Sequence, residues 1–312
     1  MPLPKALRRL VAEPPPAYLF EVSASGIAMV DSSAPQVLKQ EPLPADVLRI
    51  SPSSSNMQDA APLRAAVDRL AQILPGKRNT AGLVLPDFAT RMAVLEFDEL
   101  PEDTQQRASL IRFRLRKSVP FPIDEAQLSF ATQRRDGARV EVLTVAIDRN
   151  VLGEYEGVFS NAGFRVGLVT PSCLACLPLC KLPSAEDALT LLLKLNGSIL
   201  TVLLLEGGAI RLVRCADFSE PTGATEGGET TGWTFSPIDD SMPVLSQTLA
   251  YVEDELGRQV NRLLLSGFGE HAAEMSRLAQ REFGLTADTL RSRFGMAQSF
   301  AGVIGLAEEY AA

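Results

Sequence analysis

The chain is poor in several residue types on which common function classes depend. Among its 312 residues there is one histidine, His271, and there are four cysteines. One histidine excludes a histidine-rich metal site, and a catalytic triad could form only around His271. Four cysteines are too few for a disulfide framework in a chain of this length, and no charged segment followed by an apolar one opens the sequence. We expect a protein of the reducing cytoplasm.

Long hydrophobic runs and an excess of basic charge are also lacking. The most apolar stretches, "ALTLLLKL" and "ILTVLLLE", are broken by Lys194, Asn196 and Glu206, well short of the ~20 residues that a membrane-spanning helix needs. With 30 Lys and Arg against 38 Asp and Glu, the formal net charge is -8, which argues against a broad nucleic-acid surface. We expect no nucleic-acid partner, and membrane contact that is indirect.

What the sequence does contain is a unit of strand, polar turn and strand that occurs twice. "YLFEVSASGIAMVDSS", from Tyr18, and "ALTLLLKLNGSILTVLLLEGGAIRLVRCAD", from Ala188, both place β-rich segments around turns of small residues. Segments of helical and strand periodicity follow each unit. The pattern predicts an α/β protein built from two similar halves.

A compact insert is predicted between the two units. "TAGLVLPDFATRMAVLEF" indicates two strands around a Pro-Asp turn, and "EDTQQRASLIRFRLRKSV" indicates a helix. Pro120 must end this helix, because proline lacks the amide donor and clashes with the preceding turn. "AQLSFATQRR" and "RVEVLTVAI" then form a hairpin around Asp136 and Gly137. Strand, helix and hairpin together predict an α+β unit.

Two segments show no periodic pattern. Residues 1–17 contain a proline run and predict an N-terminal arm, either frayed or in contact with a membrane surface. Residues 219–240 are rich in glycine, threonine and acids, and predict a mobile loop.

One segment carries a family resemblance. "IRFRLRKSVPFPIDEAQLSF" resembles a segment of the PilM family, the cytoplasmic actin-like proteins of the type IV pilus inner-membrane platform, in which a helix runs into "PFP", an acidic pair and a strand. "LVLPDFATRMAVLEFDELPEDT", "RLLLSGFGE" and "GVIGLAEE" are similar to further family segments, and they follow in the same order. The resemblance covers most of residues 18–310.

The resemblance implies an α/β, actin-like ATPase fold of duplicated ribonuclease-H-like domains. Subdomain 1A is expected at 18–80 and 149–178, with an inserted α+β subdomain 1C at 81–148, as in the related cell-division protein FtsA. Domain 2 is expected at 179–312. Its subdomain 2B is expected to be reduced or absent, because the loop 219–240 stands where the helices of 2B should lie.

The resemblance also implies a partner. In the PilM family a groove between subdomains 1A and 1C holds the cytoplasmic N-terminal tail of PilN, a bitopic membrane protein. We expect a PilN-like tail, other components of the pilus platform and, as a further option, a second copy of the chain as partners. The residues expected to bind the tail are Arg112, Arg114, Arg116 and Phe121.

Other interpretations of the same segment stay open. The basic helix could instead meet anionic lipid headgroups or nucleic acid, or it could be an ordinary solvated helix face. Phe121, held between Pro120 and Pro122, is equally interpreted as a buried plug that fixes the turn.

A nucleotide site of the actin type needs two hairpin turns around the phosphates, an acid in each for Mg²⁺, and a glycine turn near the adenosine. Here the acid and glycine of the first hairpin correspond to Glu21 and Ser23, and those of the second to Lys194 and Asn196. The residues of this degenerate site are Glu21, Ser23, Ser25, Gly26, Lys194, Asn196, Gly197, Ser198, Ser266, Gly267 and Gly269.

We therefore expect a scaffold with no catalytic residues, no metal site, no resident cofactor and no ATP hydrolysis. Lys194 could still pair with a phosphate, which leaves ATP and Mg²⁺ binding without hydrolysis as an alternative, or it could be a salt-bridged surface lysine. An ATP-dependent switch of the same fold, and a GspL-like adaptor of a type II secretion system, are the alternative functions.

The remaining reactive side chains have simpler interpretations. Cys173, Cys176 and Cys180 form a C-x2-C-x3-C pattern that invites a metal or redox site, but no fourth ligand lies nearby in the sequence. We interpret them as small buried hydrophobic residues on one helix face. His271 is expected to be exposed at a helix start.

Overall fold

The computed structural model describes residues 15–74, 79–137, 139–181, 188–219, 234–294 and 300–311. Most of the predicted arm at 1–17 and of the predicted loop at 219–240 lies outside these residues. The predicted loss of subdomain 2B depends on the same loop. In the described part of the chain, no helix is both long and apolar enough to cross a membrane.

Groups of one to three consecutive strands are separated by helices along the described residues. The strands are β1 (Tyr18–Ser23), β2 (Gly26–Asp31), β3 (Leu38–Pro42), β4 (Thr80–Leu85), β5 (Arg91–Phe97), β6 (Gln127–Asp136), β7 (Arg139–Ile147), β8 (Arg165–Pro171), β9 (Leu189–Asn196), β10 (Ile199–Glu206), β11 (Ala209–Asp217), β12 (Arg262–Ser266) and β13 (Ala287–Thr289). The α-helices are α1 (Ala60–Gln72), α2 (Thr104–Leu115), α3 (Arg149–Asn161), α4 (Ser172–Ala175), α5 (Ser241–Leu256), α6 (Ala272–Phe283) and α7 (Ala301–Tyr310).

Two five-stranded sheets repeat one topology. Their strand orders are β3-β2-β1-β4-β8 and β11-β10-β9-β12-β13. In each sheet a three-stranded antiparallel meander is followed by two strands that pair in parallel. The hairpins predicted at the start of each half are confirmed, and they close at the pairs Ser23–Gly26 and Asn196–Ile199.

A third, three-stranded antiparallel sheet, of order β5-β7-β6, forms the insert together with α2. Asp103 caps α2 by accepting a hydrogen bond from the backbone N–H of Gln106 at 2.8 Å, and the helix ends at Leu115, before the predicted stop at Pro120. The predicted start of the insert at residue 81 is wrong by one strand. β4 pairs in parallel with β1 and β8, so it belongs to the first sheet.

Helices cover the outer face of each five-stranded sheet. On the first sheet, Leu63 of α1 and Phe159 of α3 join a buried cluster with Phe20 of β1, whose ring centroid lies 5.0 Å from that of Phe159. On the second sheet, Leu245 of α5 and Met275 of α6 belong to the corresponding cluster. Burial of these apolar faces is the main stabilising contribution to each half.

The last helix, α7, belongs to a buried cluster that includes side chains from both sheets, among them Val84 of β4 and Leu192 of β9. Two glycines permit its close approach. A Cβ atom at Gly302 would lie 2.6 Å from a methyl group of Val84, and one at Gly305 would overlap the backbone oxygen of Ala175. The backbone of α7 therefore lies directly against the Val84 side chain of β4 and against the backbone of α4.

Candidate functional site

The two hairpins place Glu21 and Lys194 at equivalent positions. Each side chain lies on the first strand of its hairpin, two residues before the pair that closes the turn. Glu21 is completely buried. The Ser172 hydroxyl donates a hydrogen bond to its Oε1, and the backbone N–H of Val303 donates one to its Oε2 at 2.8 Å. Both carboxylate oxygens thus have donors from α4 and α7.

Lys194 is buried as well, with 3 % of its surface exposed. Its Nζ lies 3.1 Å from Oδ2 of Asp87, in the turn that follows β4. The same oxygen accepts a hydrogen bond from Thr201 Oγ1 at 2.9 Å, while Oδ1 accepts one from the backbone N–H of Cys173 at 2.7 Å. Lys194 is salt-bridged, but the interpretation of a surface lysine is wrong, because the second sheet faces the first at this point.

Burial and neighbouring charges act in opposite directions on the pKa values of Lys194 and Glu21. Burial alone would lower the pKa of Lys194, but the negative charges of Asp87 and Glu21 outweigh it and raise the pKa above the usual lysine value. Burial raises the pKa of Glu21, and the Lys194 charge opposes that rise. The ammonium and the two carboxyl groups therefore form one electrostatically coupled unit.

Polar side chains continue across the second sheet at the level of Lys194. Ser266 of β12 and Thr201 of β10 are the residues in register with it on either side. Cys215 of β11 follows in register with Thr201, and their Oγ1 and Sγ atoms lie 3.4 Å apart. Ser266 Oγ is buried and has no hydrogen-bond partner among the described residues. We call Glu21, Asp87, Lys194, Thr201 and Ser266 the polar layer.

The predicted adenosine turn, from Ser266 to Gly269, packs against β9. Gly267 has φ of 79°, and a Cβ atom there would overlap the backbone oxygen of Leu195. Phe268 is buried in the cluster of the second half. The turn therefore needs glycine at this point for packing and for its left-handed backbone.

The serines of the two predicted hairpins form hydrogen bonds within their own sheets. Ser23 Oγ donates to the backbone oxygen of Gly26 at 3.1 Å and lies 3.2 Å from Ser25 Oγ. In the second hairpin, Gly197 adopts φ of 60° in the turn, and Ser198 Oγ donates to Asp217 at 2.9 Å.

The structure does bring the two hairpin tips together. A polar groove of about 500 Å³ is lined by Ala24 of the first hairpin and by Asn196 and Ser198 of the second, with Asp46 and Asp217 at its sides. The sequence could not indicate the contribution of the loop around Asp46, because that loop has no regular pattern.

The basic helix α2 uses one predicted partner-binding arginine internally. Arg112 donates to the backbone oxygen of Ala126 at 3.2 and 3.3 Å and also to that of Ile123. Phe121 is 7 % exposed and packs in the core of the insert with Ile111 and the sheet. Phe121 is thus the plug of the turn, and Arg112 ties the helix to the segment after it.

The other two arginines lie nearer the surface. The Arg114 guanidinium stacks 5.3 Å from the ring centroid of Phe97. Arg116 forms an exposed ion pair with Asp124 at 3.0 Å. Beside them Phe113 is 67 % exposed, the most exposed of the large hydrophobic residues described. Sequence reasoning missed Phe113, although its place on the face opposite Ile111 and Leu115 signals exposure.

The insert is joined to the second sheet through two β-bulges. The ladder between β6 and β7 shifts at Gln133, whose side-chain amide makes two hydrogen bonds to the backbone of Ile210, of 2.9 and 2.8 Å. The ladder between β10 and β11 shifts at Arg211, which contacts Glu141 of the insert. Each bulge thus directs one extra side chain, Gln133 or Arg211, across the contact between the insert and the second sheet.

Glu206 completes this junction. Its carboxylate contacts Arg134 of the insert at 2.6 Å, Arg211 at 3.3 Å, and Arg258. Burial would raise the pKa of Glu206, but the hydrogen bond from Arg258 and the positive charges of Arg134, Arg258 and Arg211 together lower it below the usual value. We call Gln133, Arg134, Glu141, Glu206, Arg211 and Arg258 the insert junction.

Cys173, Cys176 and Cys180 are buried and unbridged, which agrees with packing residues, but α4 ends at Ala175, so the three do not share one helix face. Burial is the main cause of the raised pKa of Cys173. Within the described ranges, no three histidine, cysteine or acidic side chains are grouped so as to hold a metal ion. His271 is half-exposed, just before α6, with its Nε2 4.0 Å from Glu270.

No model of a known protein family matches the chain, and no curated protein matches it. Among solved structures, the chain is similar to one described as "PilM-PilN type IV pilus biogenesis complex", with 18 % identity and a TM-score of 0.74 over 96 % of this chain and 100 % of that one. The cytoplasmic domain of EpsL, an inner-membrane component of the type II secretion system of Vibrio cholerae, gives 12 % identity and a TM-score of 0.49 over 94 % and 93 %.

A protein of unknown function with an actin-like ATPase fold from Bacteroides thetaiotaomicron gives 9 % identity and a TM-score of 0.49 over 86 % of this chain and 89 % of that one. The duplicated sheet topology and the full-length match to the pilus complex agree with the predicted fold class. The chain therefore has an actin-like fold, shared along nearly its whole length with the protein solved in the PilM-PilN complex.

Proposed function

We propose that the chain is a scaffold of a type IV pilus inner-membrane platform that binds the cytoplasmic N-terminal tail of a PilN-like membrane protein. The observation that carries this proposal is the fold match to the PilM-PilN complex, which extends over all of the matched chain. In this proposal the protein lies in the cytoplasm and reaches the membrane through its partner, together with other platform components.

The polar layer supports a scaffold without ATP hydrolysis. Hydrolysis in such a site would need acidic side chains free to hold Mg²⁺ and to position water. Here Asp87 accepts hydrogen bonds from Lys194, Thr201 and Cys173, and Glu21 is bonded to Ser172 and Val303. These carboxylates are already satisfied by the protein's own donors, which favours a structural role for them.

On the insert, Phe113 supports an additional contact for the partner tail. It is an exposed aromatic side chain in the last turn of α2, just before Arg116 and Lys117, which follow the helix and are both exposed. A peptide with an apolar anchor and acidic neighbours would complement this face, since aromatic and arginine side chains dominate binding energies at interfaces. Arg112 and Phe121 then support the face from inside, whereas Arg114 and Arg116 border it.

The proposal is tested with a fluorescent peptide that carries the cytoplasmic N-terminal residues of the PilN-like protein from the same genome. Fluorescence anisotropy with the full chain should show saturable binding, and Phe113→Ala should weaken it about tenfold or more. The matched control is Arg69→Ala on α1, which removes an exposed ion pair with Glu41. Arg69 is far from the insert in the sequence. The affinity of this control variant should equal that of the unmodified protein.

Two outcomes would overturn the proposal. Absence of peptide binding by the folded chain would remove the PilN-like partner. Release of phosphate from ATP with Mg²⁺ by the purified protein, abolished by Lys194→Ala, would replace the scaffold by an ATP-dependent switch. Binding that is equal in Phe113→Ala and the unmodified protein would remove the α2 face but leave the tail groove in place.

A further inference from the structure

We propose that the Lys194 ammonium is a built-in counter-ion that holds the two halves of the molecule closed without any bound ligand. In this role the Lys194 side chain makes the contact between the two halves that a bound ligand would otherwise make. The proposal does not depend on the pilus partner, because it concerns only contacts within the chain.

The first step is connectivity. Asp87 lies in the turn after β4, in the first half, and its Oδ1 is bonded to Cys173 of the same half. Its Oδ2 is bonded to Lys194 and Thr201, which both belong to the second sheet. A single carboxylate therefore receives donors from both halves, and separating the sheets would break the two bonds to Oδ2.

The second step is charge. Two carboxyl groups, those of Asp87 and Glu21, lie in the buried polar layer. Among the described residues, Lys194 is the cationic side chain that forms an ion pair in this layer. A buried carboxylate without a cation is strongly unfavourable. If Lys194 were uncharged or absent, the closed arrangement would need a cation from solution or would open to admit water.

The third step is access. The side chains of Lys194 and Asp87 are 3 % and 1 % exposed, and apolar side chains of both sheets, including Val84, Leu192 and Leu203, form a buried cluster near them. A phosphate group could reach Nζ only after the sheets had moved apart. The ammonium is thus committed to Asp87 in the closed molecule, and closure does not wait for a nucleotide.

Exchanging the sign of the charge at position 194 gives a sharp test. Lys194→Asp would place a third carboxyl group beside Asp87 and Glu21, so the layer would need an external cation. The variant should be open in a chelating buffer and should close when Mg²⁺ is added, because oxygen ligands suit this ion. The unmodified protein should be closed in both buffers.

Domain separation is measured by the distance between two spin labels, at Arg64→Cys on α1 and Glu274→Cys on α6, which are both exposed positions on opposite halves. The background, which is the doubly labelled protein with Lys194 unchanged, should give one narrow distance distribution that neither Mg²⁺ nor ATP changes. Lys194→Met should broaden it and shift it to longer distances. Arg69→Met, which removes the cation of an exposed ion pair, is the matched control and should leave it unchanged.

Each result decides the proposal. A narrow, ligand-independent distribution in the background with broadening in Lys194→Met supports it, and closure of Lys194→Asp by Mg²⁺ supports the counter-ion role directly. A background that closes only with ATP or Mg²⁺, or a Lys194→Met distribution equal to that of the Arg69→Met control, overturns it. If Lys194→Asp does not fold, Lys194→Met decides. None of these readouts involves the peptide, so the scaffold proposal stands or fails separately.

Discussion

Lys194 Nζ lies 3.1 Å from Asp87 Oδ2, and this buried ion pair joins the second sheet to the turn after β4 of the first. The two charges are excluded from solvent, so each depends on the other for compensation. The stability of the molecule should respond to the loss of this pair far more than to the loss of an exposed pair.

We expect Lys194→Met to lower the free energy of unfolding by about 3–5 kcal/mol, because it leaves the Asp87 carboxylate buried without its cation. Urea unfolding, followed by circular dichroism, measures the change. Arg69→Met breaks the exposed pair with Glu41 and should cost at most about 1 kcal/mol. Equal losses in the two variants would show that the buried pair adds no special stabilisation.

The insert junction predicts a pH effect on the acid side. The pKa of Glu206 is lowered in the folded protein from its ordinary value of 4.5, so the folded state binds fewer protons at this group than the unfolded state does. The stabilisation from Glu206 is therefore complete above about pH 5 and is lost as the pH falls below 4.5 towards the lowered value.

The stability difference between the unmodified protein and Glu206→Gln measures this effect. It should be nearly constant between pH 6 and pH 8, which lie well above the ordinary carboxyl pKa of 4.5, and should shrink on acidification. A difference that grows as the pH falls would mean that the arginines do not favour the charged form of Glu206.

Alanine substitutions at Phe121 and Phe113 should differ in their effect on the free energy of unfolding, because the first ring is buried and the second is proposed to bind the peptide. Phe121→Ala removes a buried ring from the core of the insert and should cost about 3–5 kcal/mol of unfolding free energy. Phe113→Ala removes an exposed ring and should change stability by about 0.5 kcal/mol or less. Urea unfolding of the two variants side by side gives both values, and a large loss for Phe113→Ala would mean that its ring packs in solution.

Two glycine-to-alanine substitutions should act in opposite directions. At Gly305 of α7 a methyl group would overlap the backbone of Ala175, so the helix must shift and the melting temperature should fall. At Gly157 of α3 a methyl group would meet no atom within 4 Å, so alanine should stabilise the helix by about 0.5–1 kcal/mol. Thermal unfolding of both variants checks the contrast, and a Gly305→Ala protein as stable as Gly157→Ala would contradict the tight packing of α7.

Local patterns were enough to predict the hairpins and the insert. β-rich alternation around turns of small residues located β1, β2, β9 and β10, and helical periodicity before Pro120 located α2. The boundary at residue 81 was misplaced because β4 and β5 follow each other closely in the sequence. Only pairing with β1 and β8 assigns β4 to the first sheet, and pairing between distant strands leaves no mark in one sequence.

The candidate site was predictable in part. The sequence indicates that Lys194 stands at the hairpin position where an acid is expected, but for its partner Asp87, 107 residues away, it indicates only a place in a turn. The basic helix predicts that Arg112 lies on a docking face. Its bonds to the backbone after the "PFP" turn depend on how the chain folds back, which composition does not reveal.

The contact between Val303 and Glu21 joins residues 282 positions apart in the chain. During synthesis β1 leaves the ribosome long before α7 exists, so the Glu21 carboxyl group has no donor from Val303 until α7 has been made. The first half can therefore complete the hydrogen bonds of this buried group only after α7 has been synthesised. A chain released before α7 would leave one oxygen of the buried carboxyl group without its hydrogen bond.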